Sequence, residues 1–122
     1  MKLCLVINNS SVVRKVAKSI LESIGYIVIE ADNGQEALEK CQLGVPDAIL
    51  VDQDLPILSG QDFLMMFART IKGRKPYIVY STMEYDPFDI TRAISMGADD
   101  FVLKPFERDD LLAKFGGQSR AA

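Results

Sequence analysis

Five short apolar segments alternate along the chain with longer segments of helical periodicity, and this alternation restricts the possible folds more than any other feature. The apolar segments are rich in β-branched, aromatic and aliphatic residues and span Leu3–Ile7, Tyr26–Ile29, Ala48–Val51, Tyr77–Tyr80 and Phe101–Leu103. Strands that are apolar on both faces are typical of a parallel sheet that helices cover on either side. The pattern therefore predicts five βα units joined by right-handed crossovers, an α/β fold of three layers.

The segments between the apolar stretches have apolar residues at helical spacing. We predict a second helix over about Gly34 to Leu43 and a fifth over about Glu107 to Phe115. The candidate N-caps of the first four helices are Ser10 or Ser11, Asp32 or Asn33, Ser59, and Asp86. The best-known arrangement for such a chain is the flavodoxin-like (βα)5 sandwich with strand order 2-1-3-4-5. We predict one domain over residues 1–116, followed by a short tail or the start of a linker at 117–122.

Composition excludes several classes of protein. The chain carries 14 Lys and Arg against 17 Asp and Glu, and its formal net charge of -3 argues against a nucleic-acid-binding module. It has no histidine, which excludes His-based triads, and with only Cys4 and Cys41 besides it lacks a conventional zinc site. We find no membrane-length apolar run and no signal-peptide cleavage site, so we expect a cytoplasmic protein without membrane association and with buried, reduced thiols.

Polar side chains follow the ends of four predicted strands. They are Asn8 and Asn9 after the first, Asp52, Gln53 and Asp54 after the third, Ser81 and Thr82 after the fourth, and Lys104 and Pro105 after the fifth. Because ligands bind outside the carboxyl ends of parallel strands, we expect these groups to meet at one edge of the sheet. A carboxylate can accept a phosphoryl group, an ammonium group can pair with its oxygens, and a hydroxyl can donate a directional hydrogen bond. This edge is therefore a candidate site for phosphoryl chemistry.

Four stretches carry a family resemblance, and they occur in the order LVINNSS at 5–11, AILVDQDLPILSG at 48–60, VYST at 79–82 and GADDFVLKPF at 97–106. On these stretches the chain resembles the receiver domain of two-component response regulators, in particular the single-domain chemotaxis-type regulators. The resemblance covers Met1 to about Phe115. It implies a phosphorelay protein, not an enzyme, that takes a phosphoryl group from a histidine kinase or phosphotransfer protein.

The resemblance assigns roles to individual residues. Asp52 matches the phosphoacceptor aspartate, Thr82 the switch hydroxyl, and Lys104 the lysine that pairs with the phosphoryl group. The Lys104–Pro105 peptide bond matches one that is usually cis in the family, and Phe101 matches the aromatic switch residue. The resemblance also implies that a downstream protein target binds the face built from the fourth helix, the fifth strand and the fifth helix.

One departure from the family concerns the metal. Receiver domains have two acidic residues after the first strand, whereas this chain has Asn8 and Asn9. Three carboxylates and one lysine give the family's pocket a charge of about minus two, but Asp52 and Lys104 alone give about zero. Neutral amide oxygens contribute far less to holding Mg²⁺. We therefore expect Mg²⁺ binding to be weak or absent and phosphorylation of Asp52 to be slow or absent.

The metal ligands that remain are few. The resemblance implies Asp52 and the backbone carbonyl of Asp54 as ligands, with Asn8 and Asn9 as degenerate ones. As an alternative, the side chain of Asp54 or of Glu84 could move in and supply negative charge to the metal site.

Two alternatives stand beside a phosphorylated receiver. The first is a phosphorylation-independent pseudo-receiver that acts as a protein-interaction module; the asparagine pair favours it, whereas Asp52, Thr82 and Lys104 favour the receiver. The second is a phosphatase of the haloacid-dehalogenase kind, because Asp52-Gln53-Asp54 has the form of its Asp-x-Asp motif. That motif belongs after the first strand and needs a longer chain, which disfavours this alternative.

Overall fold

The structure is a computed structural model that describes residues 2–119. Its strands and helices alternate in the order β1 Lys2–Ile7, α1 Ser11–Glu22, β2 Tyr26–Ala31, α2 Gly34–Leu43, β3 Ala48–Asp52, α3 Gly60–Thr70, β4 Tyr77–Thr82, α4 Pro87–Ser95, β5 Asp100–Leu103 and α5 Arg108–Ser119. The strands form one parallel sheet in the order β2-β1-β3-β4-β5. The predicted fold class and strand order are confirmed.

Side-chain caps determine where the first four helices begin. An oxygen at the N-cap accepts one of the backbone N–H groups that the first helical turn leaves unpaired. The accepting oxygen belongs to Ser10 in α1, to Asn33 in α2, to Ser59 in α3 and to Asp86 in α4. All four are among the caps that the sequence predicts, so these helices start where the pattern places them.

The last helix, α5, extends further than the sequence predicts. Its predicted end lies near Phe115, but the helix continues through Gly116 and Gly117 to Ser119. Glycine weakens a helix by about 1 kcal/mol yet keeps the N–H that continues the hydrogen-bonded pattern. Phe115 is fully buried and anchors these turns against the sheet. The predicted tail at 117–122 is therefore helical up to residue 119, and residues 120–122 lie outside the described part of the chain.

Helices cover both faces of the sheet, and each face has its own apolar core. One core packs α2, α3 and α4 against strand residues such as Ile49 and includes the fully buried Phe63. The other packs α1 and α5 against residues such as Val79 and includes the fully buried Leu21. None of the helices within residues 2–119 is both long and apolar enough to cross a membrane.

Both cysteines lie in these cores as free thiols. Burial raises the pKa of the Cys4 thiol, and it raises the pKa of Cys41 to about 11. The reactive thiolate is therefore disfavoured at neutral pH, as expected of cysteines that act as small apolar residues.

The connection between β3 and α3 contains a strained residue. Ile57 has a φ of 71°, a left-handed conformation that is rare for a β-branched side chain. Around it, the N–H of Leu58 donates to the carbonyl of Pro56 at 2.8 Å. A hydrogen bond across three residues with a positive φ at the centre marks the rare, strained form of the γ-turn. The Ile57 side chain is 76% exposed, so little burial offsets the strain.

We expect Ile57→Asn to raise the free energy of unfolding by about 1 kcal/mol, because Asn adopts a positive φ more readily than a β-branched residue does. Urea unfolding followed by circular dichroism measures the change. Ile57→Val keeps the β-branch and should leave the stability unchanged. A loss of stability in Ile57→Asn would show that contacts of Ile57 outweigh its strain.

Candidate functional site

Three polar side chains meet at the carboxyl edge of the sheet. Asp52 ends β3 and its side chain is only 4% exposed. The Lys104 ammonium, which follows β5, lies 2.7 Å from Asp52 Oδ1. The Ser81 hydroxyl of β4 donates to the same oxygen at 2.9 Å. The buried carboxylate is therefore neutralised by one cation and held by one further hydrogen bond.

Strand register explains this arrangement. Asp52 pairs with Ser81 in the β3–β4 ladder, and the side chains of paired residues point to the same face of a sheet. That face is the one covered by α1 and α5, since Leu50 and Val79, each two residues earlier, belong to that core. The topology thus brings Ser81 and the carboxylate together without any contribution from a loop.

The Thr82 hydroxyl is hydrogen-bonded to Gln53 and not to Asp52 in this structure. Successive side chains of a strand alternate between faces, so Thr82 points away from Ser81. The Thr82 hydroxyl is buried and donates to Oε1 of Gln53 at 2.7 Å. The structure thus brings Asp52 and Lys104 together as the sequence predicts, but the hydroxyl on the carboxylate belongs to Ser81.

Ser81 and Gln53 are among the polar residues that the sequence predicts at this edge, but the sequence analysis assigns neither of them a role. The resemblance assigns the switch hydroxyl to Thr82, on its register with Asp52 and Lys104. The strand alternation could have found Ser81, because only one of two consecutive β4 residues can share a face with Asp52. Applying it requires the register between the strands, which the sequence pattern alone does not fix.

The two asparagines after β1 differ in their surroundings. Asn8 is buried, and its Oδ1 accepts a hydrogen bond from the backbone N–H of Ser10 at 2.8 Å. Its backbone carbonyl accepts one from Arg14 Nη1 at 2.7 Å. Asn9 and Asp54 are both exposed. The Asn8 amide oxygen thus forms the turn that leads into α1 and is already engaged there.

These residues do not fit the Mg²⁺ site that the resemblance implies. Mg²⁺ prefers carboxylate oxygens and water in octahedral geometry. One oxygen of Asp52 is taken by Lys104 and Ser81, and the Asn8 oxygen is taken by a backbone N–H. Within residues 2–119, no group of three or more His, Cys, Asp or Glu side chains is arranged to hold a metal ion. The side-chain oxygens available to a metal ion are thus mainly neutral, whereas a divalent cation favours negatively charged ligands.

An aromatic contact lies beside the site on β5. Phe101 is half-buried, and its ring centroid lies 5.9 Å from that of Tyr85, which follows β4. The Lys114 ammonium of α5 lies 5.5 Å from the Phe101 centroid, within the range of cation–π attraction. Phe101 thus connects the segment after β4 with α5.

An apolar cavity of about 380 Å³ opens next to the site. Its lining consists of Val12, Val13, Val16, Met83, Lys104, Pro105 and Phe106. The Lys104–Pro105 peptide bond is cis, as the resemblance implies. Two of these residues, Val12 and Met83, are apolar and yet 69% and 72% exposed. An apolar surface is therefore exposed beside the carboxylate.

A polar network ties the start of α4 to the sheet. The Tyr80 hydroxyl donates to Asp89 Oδ1 at 3.0 Å, and the Gln61 amide of α3 donates to the same oxygen. Burial and the hydrogen bond to Asp89 raise the pKa of Tyr80, so its hydroxyl stays a donor. The network holds α3, α4 and β4 in one arrangement next to the site.

Comparison with known proteins gives consistent matches over almost the whole chain. Residues 4–115 match the family described as the response regulator receiver domain. The chain is 31% identical over 116 residues to the transcriptional regulatory protein DltR of Streptococcus agalactiae, covering 95% of this chain and 51% of that protein. It is 33% identical over 110 residues to the cell cycle response regulator CtrA of Brucella ovis, and this match covers 90% of this chain and 47% of that protein. The chain spans about half the length of these curated relatives.

Solved structures lead to the same family. The chemotaxis response regulator CheY4 of Vibrio cholerae superposes with a TM-score of 0.89 at 27% identity, covering 98% of both chains. The receiver domain of a signal transduction histidine kinase from Syntrophus aciditrophicus superposes with a TM-score of 0.83 at 28% identity, covering 98% of this chain and 89% of that one. The match over residues 4–115 establishes that this chain belongs to the response regulator receiver domain family of two-component signalling.

Proposed function

We propose that Asp52 accepts a phosphoryl group from a histidine kinase or a phosphotransfer protein, and that residues 1–116 form the receiver domain. The observation that supports this most is the Asp52 carboxylate, buried at the end of β3 with the Lys104 ammonium 2.7 Å away. A carboxylate can act as the acceptor, and a fixed cation offsets the charge that the phosphoryl oxygens bring. In this proposal the modified group is a side chain of the protein itself, so we propose a signalling role and assign no enzyme activity.

We further propose that Mg²⁺ contributes little to this transfer. Receiver domains typically bind Mg²⁺ at their phosphorylation site. In this chain Asn8 and Asn9 replace the acidic pair, and the Asn8 oxygen already accepts the Ser10 N–H. The exposed side chains of Asp54 and Glu84 could supply charge only by moving toward Asp52. We therefore expect Mg²⁺ affinity well below that of a receiver with two acidic residues.

For the output we propose a protein partner that contacts the face of α4, β5 and α5. Phe101 lies on this face and links Tyr85 with Lys114, so rearrangement at the carboxyl edge can alter exposed aromatic surface. The net charge of -3 gives this chain no basic excess for nucleic acid. Free, buried thiols agree with a reducing compartment, and we place the protein in the cytoplasm.

A pseudo-receiver is the second candidate. The contacts of Asp52 favour it, because Oδ1 already has an ion pair with Lys104 and a hydrogen bond from Ser81 without any phosphoryl group or metal. A site neutralised in this way can keep one conformation permanently. The output face would then bind its partner independently of phosphorylation.

Incubation with acetyl phosphate, with and without Mg²⁺, separates the two candidates. We expect intact mass spectrometry to find one phosphoryl adduct in the unmodified sequence, with a yield that depends weakly on Mg²⁺, and none in Asp52→Asn. Asp32→Asn, which changes an exposed carboxylate after β2, should keep the adduct. If neither acetyl phosphate nor a phosphohistidine donor labels Asp52, the pseudo-receiver is the correct alternative.

A further inference from the structure

We propose that a cavity between α3 and α4 binds a small amphiphilic anion, a molecule with an apolar body and a carboxylate or phosphate head. The cavity has a volume of about 330 Å³ and lies at the amino edge of the sheet, where α3 and α4 end and β4 begins. Asp52 lies at the opposite, carboxyl edge, at the end of β3. The proposal therefore goes beyond the proposed function and does not depend on it.

The inner part of the cavity is apolar. Its apolar lining belongs to the core that α2, α3 and α4 form with the sheet, or packs against that core, and includes Leu64, Phe67, Ile71, Ile78 and Met96. Leu64 and Ile78 are each 1% exposed, so the floor of the cavity is the core itself. Water finds few hydrogen-bond partners against such a lining, and apolar cavities bind apolar molecules. The volume of about 330 Å³ is at the lower end of the range for ligand sites, which favours a small ligand.

The rim of the cavity is basic. Arg74 and Lys75, in the connection from α3 to β4, both line it. Residues 69–75 contain four basic side chains and no acidic one, in a chain whose net charge is -3. Guanidinium and ammonium groups form strong hydrogen bonds with carboxylates and phosphates. A basic rim above an apolar floor thus complements a ligand that has an anionic head and an apolar body.

Both cations of the rim already have acidic partners, but these partners do not depend on the cations alone. Arg74 pairs with Asp47, and Lys75 pairs with Asp99 at 2.7 Å. Asp47 also accepts a backbone N–H from β1 at 2.8 Å, and Asp99 accepts one from β4 at 2.8 Å. The Arg74 and Lys75 side chains are 76% and 52% exposed, and exposed ion pairs contribute little to stability. Either cation can therefore turn toward a ligand without leaving its carboxylate unpaired.

Titration of the full chain with sodium octanoate, followed by amide shifts in NMR spectra, tests the proposal. We expect saturable binding with the largest shifts at residues 67–75 and 95–97, which include most of the lining. Hexanoate lacks two methylenes and should bind about tenfold more weakly. The uncharged 1-octanol should also bind about tenfold more weakly, because it cannot form charged hydrogen bonds with the rim. Octyl phosphate is titrated beside octanoate, and the tighter of the two identifies the head group. Equal affinities for octanoate and 1-octanol, or shifts spread evenly over the surface, would overturn the proposal.

A variant that fills the cavity separates this site from binding elsewhere. Ala68 lines the cavity from an exposed position of α3, so Ala68→Leu narrows it without burying a new side chain in the core and keeps a good helix former. It should weaken octanoate binding about tenfold, because the added side chain occupies the ligand's space. Ala113→Leu makes the same exchange at an exposed position of α5 and should bind octanoate like the unmodified chain. Equal affinities in the two variants would place the ligand outside the cavity and refute the proposal.

The basic rim has its own pair of variants. Arg74→Gln/Lys75→Gln should weaken octanoate binding about tenfold and leave 1-octanol binding unchanged. Lys15→Gln/Lys18→Gln removes the same charge from α1, away from the cavity, and should change neither affinity. Thermal unfolding without ligand checks that each variant is folded. Equal losses of octanoate affinity in both double variants would show that overall charge, not the rim, attracts the ligand. Labelling of Asp52 by acetyl phosphate should be the same in all these variants, so the cavity and the proposed function fail or stand separately.

Discussion

The double variant Asn8→Asp/Asn9→Asp is expected to bind Mg²⁺ about 100-fold more tightly than the unmodified chain, because two added charges near Asp52 attract a divalent cation strongly. With Asp52 and Lys104 alone the pocket carries about zero charge, and the variant changes this to about minus two. Aspartate has the shape of asparagine and keeps an oxygen that can accept the Ser10 N–H, which Asn8 accepts at 2.8 Å. The exchange therefore changes the charge with little effect on the fold.

The two single variants should differ. Asn8 is buried and its side-chain oxygen is engaged by the turn into α1, whereas Asn9 is exposed. We therefore expect Asn9→Asp to account for more of the gain in affinity than Asn8→Asp.

Isothermal titration calorimetry with MgCl₂ measures the affinity, and thermal unfolding gives an independent readout. Without Mg²⁺ the double variant should unfold at a lower temperature than the unmodified chain, because like charges crowd Asp52. Mg²⁺ should reverse this loss, since a ligand that binds only the folded state stabilises it. Asn33→Asp makes the same exchange at the N-cap of α2 and should give no response to Mg²⁺. An unmodified chain that binds Mg²⁺ as tightly as the double variant would contradict the charge argument.

The sequence predicts the fold of this chain in detail because two independent signals agree. The apolar segments mark the strands by their continuity, and caps such as Ser59 and Asp86 mark the helix starts by their hydrogen-bonding chemistry. The end of α5 has no comparable signal. The pair Gly116-Gly117 is typical of a helix end, but burial of Phe115 outweighs the low propensity of glycine. Tertiary packing of this kind cannot be inferred from local composition.

The sequence could predict which side chains reach the candidate site, but not which of them form hydrogen bonds with each other. The topology of a parallel sheet brings the ends of β3, β4 and β5 together, and this suffices to place Asp52 near Lys104. Choosing between Ser81 and Thr82 requires knowing which residue of β4 pairs with Asp52. A register shift of one residue exchanges the faces of a strand. The sequence pattern does not carry that information, because β4 is apolar on both sides.

The second large effect is expected from Gly60→Ala, which should lower the free energy of unfolding by about 3 kcal/mol. Gly60 begins α3, and its N–H donates to the carbonyl of Gln53 at 2.9 Å. A Cβ at this position would lie less than 3.0 Å from the carbonyl oxygen of Asp52 and 3.0 Å from Gln53 Cα. These are backbone atoms, so no side-chain rotation can relieve the overlap.

Gly44→Ala is the matched control for this prediction. It makes the same substitution at the C-cap of α2, where an added Cβ meets no atom within 4 Å and φ is 178°, an extended value open to any residue. Its stability should change by no more than about 0.5 kcal/mol. Guanidinium unfolding of the two variants gives the comparison, and equal losses would show that the close approach of Gly60 to Asp52 is not the cause. Because the overlap acts on the backbone of Asp52, Gly60→Ala should also slow acetyl phosphate labelling of Asp52, whereas Gly44→Ala should not.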